Sequence, residues 1–250
     1  MKLGWRSGVL CVLATVAVVA LLFGIRDDDG GGPSPFTASD SWVRAECLMG
    51  TYLPERVGWR VAEGPVPGDW SRIEDAPGAL LPDRAAVELT LRPKEGSEKI
   101  TLKGIRLEVD QHALRPLGIV FYRPCKRRLT GPAIEVDLAG AGEVTSSSAA
   151  FDETIGPGLR LSPSAPPIDF PWTIELSKPL RLYFVAHTES CYCTWSVRIP
   201  WEGESSHGVI HVDNGGRRYT MTDSVGVGWY RPGPNGRWVQ GLAPRWIGVR

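Results

Sequence analysis

The sequence predicts an all-β domain behind one apolar membrane-spanning helix. Three observations carry that prediction. Residues 8–25 read GVLCVLATVAVVALLFGI, without a charge. From residue 87 onward, short runs alternate apolar and polar residues with period two, the pattern of half-buried strands. Gly and Pro together number 50 of 250 residues and punctuate those runs at turn spacing.

The apolar run is long enough to cross a membrane. Eighteen residues at helical rise span about 27 Å, close to one hydrocarbon core. A cleaved leader would need a shorter core and a small-residue cleavage site. Here the run ends in Leu22-Phe23-Gly24, so a permanent anchor is expected. Lys2 and Arg6 precede the run, and Asp27-Asp28-Asp29 follow Arg26. Basic flanks stay inside. The expected organisation is a cytoplasmic stub (1–7), an anchor (8–25), a linker (26–36), an extracytoplasmic β-domain (37–224) and a Gly/Pro/Trp-rich tail (225–250). The localisation that follows is the cell membrane, with residues 27–250 outside. The linker core DDDGGGPSP reaches only about 15–18 Å as a flexible chain, which holds the domain near the bilayer.

Charge excludes one class of partner. The chain has 28 basic and 28 acidic residues. Lys2, Arg6 and Arg26 flank the anchor, so the outer part is 25 basic against 28 acidic, net −3. That balance gives no reason to expect nucleic acid.

Taken in order, residues 39–49 (SDSWVRAECLM) predict a short helix ending at Gly50, with Trp42 and Cys47 as its buried contacts. Thr51–Arg84 carries five prolines and predicts irregular wrapping around one strand at Val57–Ala62. Val87, Leu89 and Leu91 alternate strictly. Ile100 and Leu102 continue the pattern, and Ile105, Leu107 and Val109 take it up with changed parity across Lys103-Gly104, the mark of a β-bulge. Leu117–Tyr122 (LGIVFY) is continuously apolar and reads as a central, two-sided strand. Ile134, Val136 and Leu138 alternate again, and residues 143–164 read as a long loop with at most one edge strand. FPWTIEL (170–176) aligns Trp172, Ile174 and Leu176 on one face. Leu180–His187 is another strand. In 191–199 the odd positions are Cys191, Cys193, Trp195, Val197 and Ile199, all on one apolar face. Gly208–Val212 and Arg218–Thr222 flank Asp213-Asn214-Gly215-Gly216, a hairpin signal. The tail from Val225 reads as irregular. Some ten short strands with few helix signals predict a β-sandwich, Ig-like or jelly-roll-like.

Four cysteines lie beyond the anchor: Cys47, Cys125, Cys191 and Cys193. An even number in an oxidising compartment predicts disulfides. Cys191 and Cys193 on one strand face would stand about 6.5 Å apart with parallel side chains, a poor geometry for a mutual bond. Each is therefore expected to pair with Cys47 or Cys125. A zinc site with His187 as ligand is the rival reading, but structural zinc uses Cys-x(2–4)-Cys on turns, so no metal and no cofactor is expected.

No constellation of catalytic residues emerges. His207 and His211 sit four apart on an expected strand, about 13 Å from each other, too far for one ion. His112 and His187 have no sequence neighbour that makes a nucleophile–base pair, and no phosphate-cradling or nucleophile-elbow motif is present. Two stretches are candidate binding surfaces. Arg123, Lys126, Arg127 and Arg128 form a basic cluster suited to lipid headgroups or an anionic wall polymer. Trp229, Tyr230, Trp238 and Trp246, interleaved with Arg231, suit a glycan or a protein partner.

The motifs FPWTIEL, CYCTW and GVIHVDNGGR, within Phe170–Arg217, are similar to N-terminally anchored ectodomains of actinobacterial envelopes. The resemblance covers part of the chain and implies an envelope location and a sandwich, with no activity to carry over. The expected function is thus a single-pass, membrane-anchored extracytoplasmic binding module. An envelope enzyme acting on wall or extracellular polymers and a structural accessory of a membrane complex are the alternatives.

Overall fold

The computed structural model describes residues 34–42, 50–94, 99–112, 114–122, 127–129, 132–138, 142–144, 154–156, 159–161, 168–175, 177–188 and 190–241, with backbone only for 42, 127–129, 142–144, 154–156 and 159–161. The expected anchor at 8–25 and the cysteines Cys47 and Cys125 lie outside these residues. Among the described residues, no helix is long and apolar enough to cross a membrane.

The described chain is mostly strand. It opens with β1 (Phe36–Trp42), β2 (Thr51–Pro54), α1 (Glu55–Glu63), α2 (Ser71–Glu74), β3 (Leu81–Pro82) and β4 (Arg84–Pro93). There follow β5 (Lys99–Leu102), β6 (Ile105–His112), β7 (Gly118–Phe121), β8 (Arg127–Leu129), β9 (Ala133–Asp137) and β10 (Gly142–Val144). Next come β11 (Thr154–Gly156), β12 (Leu159–Leu161), β13 (Trp172–Glu175), β14 (Leu180–His187) and β15 (Tyr192–Glu202). The last are β16 (His207–Val212), β17 (Tyr219–Thr222), β18 (Gly228–Pro232) and β19 (Trp238–Gly241).

Two sheets share one core. The first has the order β1-β4-β14-β9, and the second runs β10-β6-β15-β17-β3 with β5, β13 and β16 attached. Alternation puts Val87, Leu89 and Leu91 of β4 and Trp195, Val197 and Ile199 of β15 into the same apolar cluster. The parity change at Lys103-Gly104 is a bulge, as expected. Leu102 opposes Trp201 and Arg106 opposes Arg198, so β5–β6 carries one residue more than the β15 stretch it faces.

Several expectations are corrected. Residues 39–42 belong to β1, antiparallel to β4, rather than to a helix. The alternation Phe36-x-Ala38 places both against the shared core. The sequence Asp213–Gly216 does not make a hairpin. β16 and β17 follow one another along the same edge of β15, with Val212 opposite Val197 and Tyr219 opposite Trp195. Residues 213–218 loop out between them. Asn214, Gly215 and Gly216 all take positive φ (56°, 70°, 87°), which turns the chain out and back. Asp40 Oδ2 pins this loop, accepting from the Asn214 amide at 2.8 Å and the Tyr219 hydroxyl at 2.7 Å. Residues 143–164 contain β11 and β12, a three-stranded sheet with β8, and the end of β10.

The sulfurs of Cys191 and Cys193 lie in contact with each other, where each was expected to pair with Cys47 or Cys125, which lie outside the described residues. The expectation assumed both lie on the strand. Cys191 instead precedes β15, held by the Thr188 hydroxyl on its amide and the Asp223 amide on its carbonyl. This draws the two Cα atoms to 5.5 Å, within disulfide range. Both cysteines lie in the shared core with Trp195.

The apolar run LGIVFY becomes a central strand, but of another sheet, β19-β18-β7-β2. It is two-sided, as expected. Ile119 and Phe121 face one cluster with Leu53, Trp70 and Trp238, while Val120 and Tyr122 face another with Tyr52 and Trp229. Residues 55–63 cover the first face as a helix, where a strand was expected at Val57–Ala62. Val57 and Val61 are four apart and both pack on that cluster, which is helical spacing. Pro54 fixes the entry (φ −52°). The expected irregular tail supplies β18 and β19, and β18 runs parallel to β7.

Candidate functional site

Where α1 ends its cover, the helix-side face of β18 and β19 stays open. The result is a cleft of about 330 Å³. Glu55 and Trp59 of α1 form one wall. Leu117, Gly118 and Ile119 at the start of β7, with Gly226, Val227 and Gly228 leading into β18, form the mouth. Tyr230 of β18, Gln240 of β19 and Arg115 complete the lining. Tyr230 and Gln240 are direct cross-strand partners, so their side chains share a face. Trp59 meets Tyr230 edge-on, ring centroids 6.2 Å apart.

The lips of the cleft are fixed from behind. Arg115 Nη1 donates to the Val225 carbonyl at 2.9 Å and pairs with the Asp223 carboxylate. The Tyr52 hydroxyl bonds the Pro116 carbonyl, and burial raises the pKa of that phenol. Ser224, between Asp223 and Val225, donates from its amide (2.7 Å) and hydroxyl to buried Asp83. Two glycines contribute to this geometry to different degrees. A Cβ on Gly118 would overlap the Tyr52 ring and the Leu53 carbonyl. Gly226 has φ +75° in the turn over the mouth.

The expected surface residues fall differently. Trp229 and Trp238 are buried, which corrects their assignment to a binding surface: Trp229 packs on Tyr122, and Trp238 on Trp70 and Phe121. Tyr230 does line the cleft. Arg231 is exposed on β18 outside the cleft lining. Arg123, Lys126 and Trp246 lie outside the described residues. Arg127 and Arg128 are on β8, whose backbone pairs in parallel with β12. His207 and His211 are on a strand, β16, as expected. His112 ends β6, its ring 4.8 Å from that of Tyr192.

The sequence reading missed Glu55, Trp59, Arg115, Leu117 and Gln240. One signal was available. Read with helical period, ERVGWRVAE places Trp59 opposite Val57 and Val61, an indole on the solvent side. The convergence of residues 55, 115, 228 and 240 has no local signature. In comparisons with known proteins, the chain matches no family model, no curated protein and no solved structure.

Proposed function

We propose that this protein is a membrane-anchored extracytoplasmic binding module. In this reading the first two sheets are the layers of a β-sandwich that serves as a stalk, and the cleft beside α1 holds the ligand. One observation carries it. The exposed large apolar side chains among the described residues are Trp59 (46%), Leu114 (84%), Leu117 (70%) and Val225 (61%). Trp59 and Leu117 line the cleft, Leu114 adjoins Arg115, and Val225 adjoins Gly226. Apolar exposure gathered at one place marks an interaction site, whereas scattered exposure does not.

Position supports the same reading. The expected linker would end at Phe36, which pairs with Pro93 at the far end of β4. The opposite end of β4 is Arg84, next to Asp83 and through it to Ser224 and the cleft. Ten residues of strand separate these poles by about 30 Å. A domain tethered at the Phe36 pole would present its cleft away from the bilayer.

The enzyme alternative finds less support. Among the described residues, Glu55 is the one carboxylate in the cleft lining, and no serine, cysteine or histidine lines it. Hydrolysis of a glycosidic polymer ordinarily uses two facing carboxylates. The test is in-cell crosslinking of the tagged full-length chain, with mass spectrometry of what co-purifies, for wild type and the double variant Trp59→Ala, Leu117→Ala. A component lost only in the variant is the expected result. The same components in both would overturn the cleft as the site.

A further inference from the structure

We infer that the cleft takes an uncharged saccharide, a short stretch of an envelope glycan. This rests on the cleft being the ligand site and names the class of ligand.

The lining mixes two kinds of surface in close alternation. Trp59 and Tyr230 supply aromatic faces set at 79° to each other. Such rings offer broad apolar area with polar edges, which suits the C–H face of a sugar ring. Between and beside them stand Glu55, Gln240, the Tyr230 hydroxyl and Arg115. A carboxylate accepts, a guanidinium donates, and an amide and a phenol do both. Sugar hydroxyls donate and accept at every position, so they need this combination. A wholly apolar ligand would strip water from Glu55 and Gln240 without replacing its hydrogen bonds.

Charge narrows the class. The cation at the cleft, Arg115, is already paired with Asp223. Among the described residues, the remaining formal charge in the lining is Glu55, and it has no ion-pair partner there. Phosphate- or carboxylate-bearing polymers are held by available Arg and Lys donors. Here they would meet a carboxylate and a neutralised arginine. The volume of about 330 Å³ is at the small end of the roughly 300–1,000 Å³ range for ligand sites, which limits the bound stretch to a few sugar residues.

The experiment titrates the full-length protein in detergent micelles with tetramers of N-acetylglucosamine, mannose and arabinose, and separately with polyphosphate. Binding is read by equilibrium dialysis and tryptophan fluorescence. At least one neutral tetramer is expected to bind. Trp59→Ala is expected to weaken that binding roughly tenfold or more, and Gln240→Ala severalfold, each a loss of about one stacking or hydrogen-bonding contact. Both residues are solvent-exposed, and unchanged far-UV dichroism checks their folding. No binding by any of the three sugars overturns the saccharide class. Binding indifferent to both variants overturns its place, and Trp59-dependent binding of polyphosphate overturns the charge argument. If the sugars fail while Trp59→Ala, Leu117→Ala still loses its co-purifying component, the cleft remains the site and only the ligand class falls. If both fail, both readings fall.

Discussion

The carboxylate of Asp83 accepts hydrogen bonds from the amide and the hydroxyl of Ser224. It thereby ties the start of β4 to the turn that forms one lip of the cleft. The Asp83 amide donates to the Thr222 carbonyl, and its carbonyl accepts from Thr188. Burial pushes this carboxyl up from 3.8 to about 6, with the Ser224 hydrogen bonds opposing the rise and the neighbouring Asp223 charge adding to it.

A pH dependence follows from that shift. The folded protein holds the Asp83 proton more tightly than the unfolded chain does. The resulting stabilisation, about 3 kcal/mol, is fully present below about pH 3.8 and is lost as pH rises through about 6. Asp83→Asn cannot titrate and isolates this group from the other carboxylates. Denaturant unfolding at several pH values is the measurement. Wild type is expected to lose stability relative to the variant between about pH 4 and pH 7. Parallel curves would contradict the assignment.

The two glycines at the mouth should respond differently to alanine. Gly118→Ala drives a methyl into the Tyr52 ring and the Leu53 carbonyl, and backbone cannot move aside as a side-chain end can. A loss of about 1–3 kcal/mol or more is expected from such overpacking. Gly226→Ala meets no atom within 4 Å and bears only its positive φ, about 1 kcal/mol. Thermal melts of both variants give the ranking.

Trp238 and Trp59 make a second contrasting pair. Trp238 is buried between Trp70 and Phe121, so Trp238→Ala is expected to cost about 3–5 kcal/mol. Trp59 is 46% exposed, and its removal should cost far less stability while weakening binding at the proposed cleft site. Chemical denaturation beside a co-purification assay separates the two effects.

The Cys191–Cys193 contact is open to a direct chemical check for a disulfide. Trypsin cleavage after Arg181 and Arg198 leaves both cysteines in one peptide. Without reduction, that peptide is expected to be lighter by two hydrogens and inert to iodoacetamide. A cross-linked peptide containing Cys47 or Cys125 would show a different pairing.

Much of the β-structure was legible because its signal is local. Strict alternation marks β4, β6, β9 and β15, and the parity change at Lys103-Gly104 marks a real bulge. What failed was pattern resolved by long-range contact. Asp213–Gly216 has hairpin chemistry, yet β15 offers an edge long enough for β16 and β17 in succession, and Asp40 holds the intervening loop out. The segment ERVGWRVAE became a helix because β7 presents Ile119 and Phe121 to be covered. The cleft draws on chain positions from 55 to 240, so only the fold could bring it together. Trp229 and Trp238 look like surface aromatics in a Gly-rich tail, and β-pairing buried them.

The most direct measurement is site-specific photo-crosslinking in intact cells. A photoreactive amino acid replaces Leu117 at the cleft in one full-length protein and Lys178 in another. Lys178 is exposed just before β14, at the pole where Leu180 pairs with Leu91. Capture of a defined envelope component from position 117 and not from 178 is the expected result. Equal capture from both positions, or none from 117, would contradict a ligand site at the cleft.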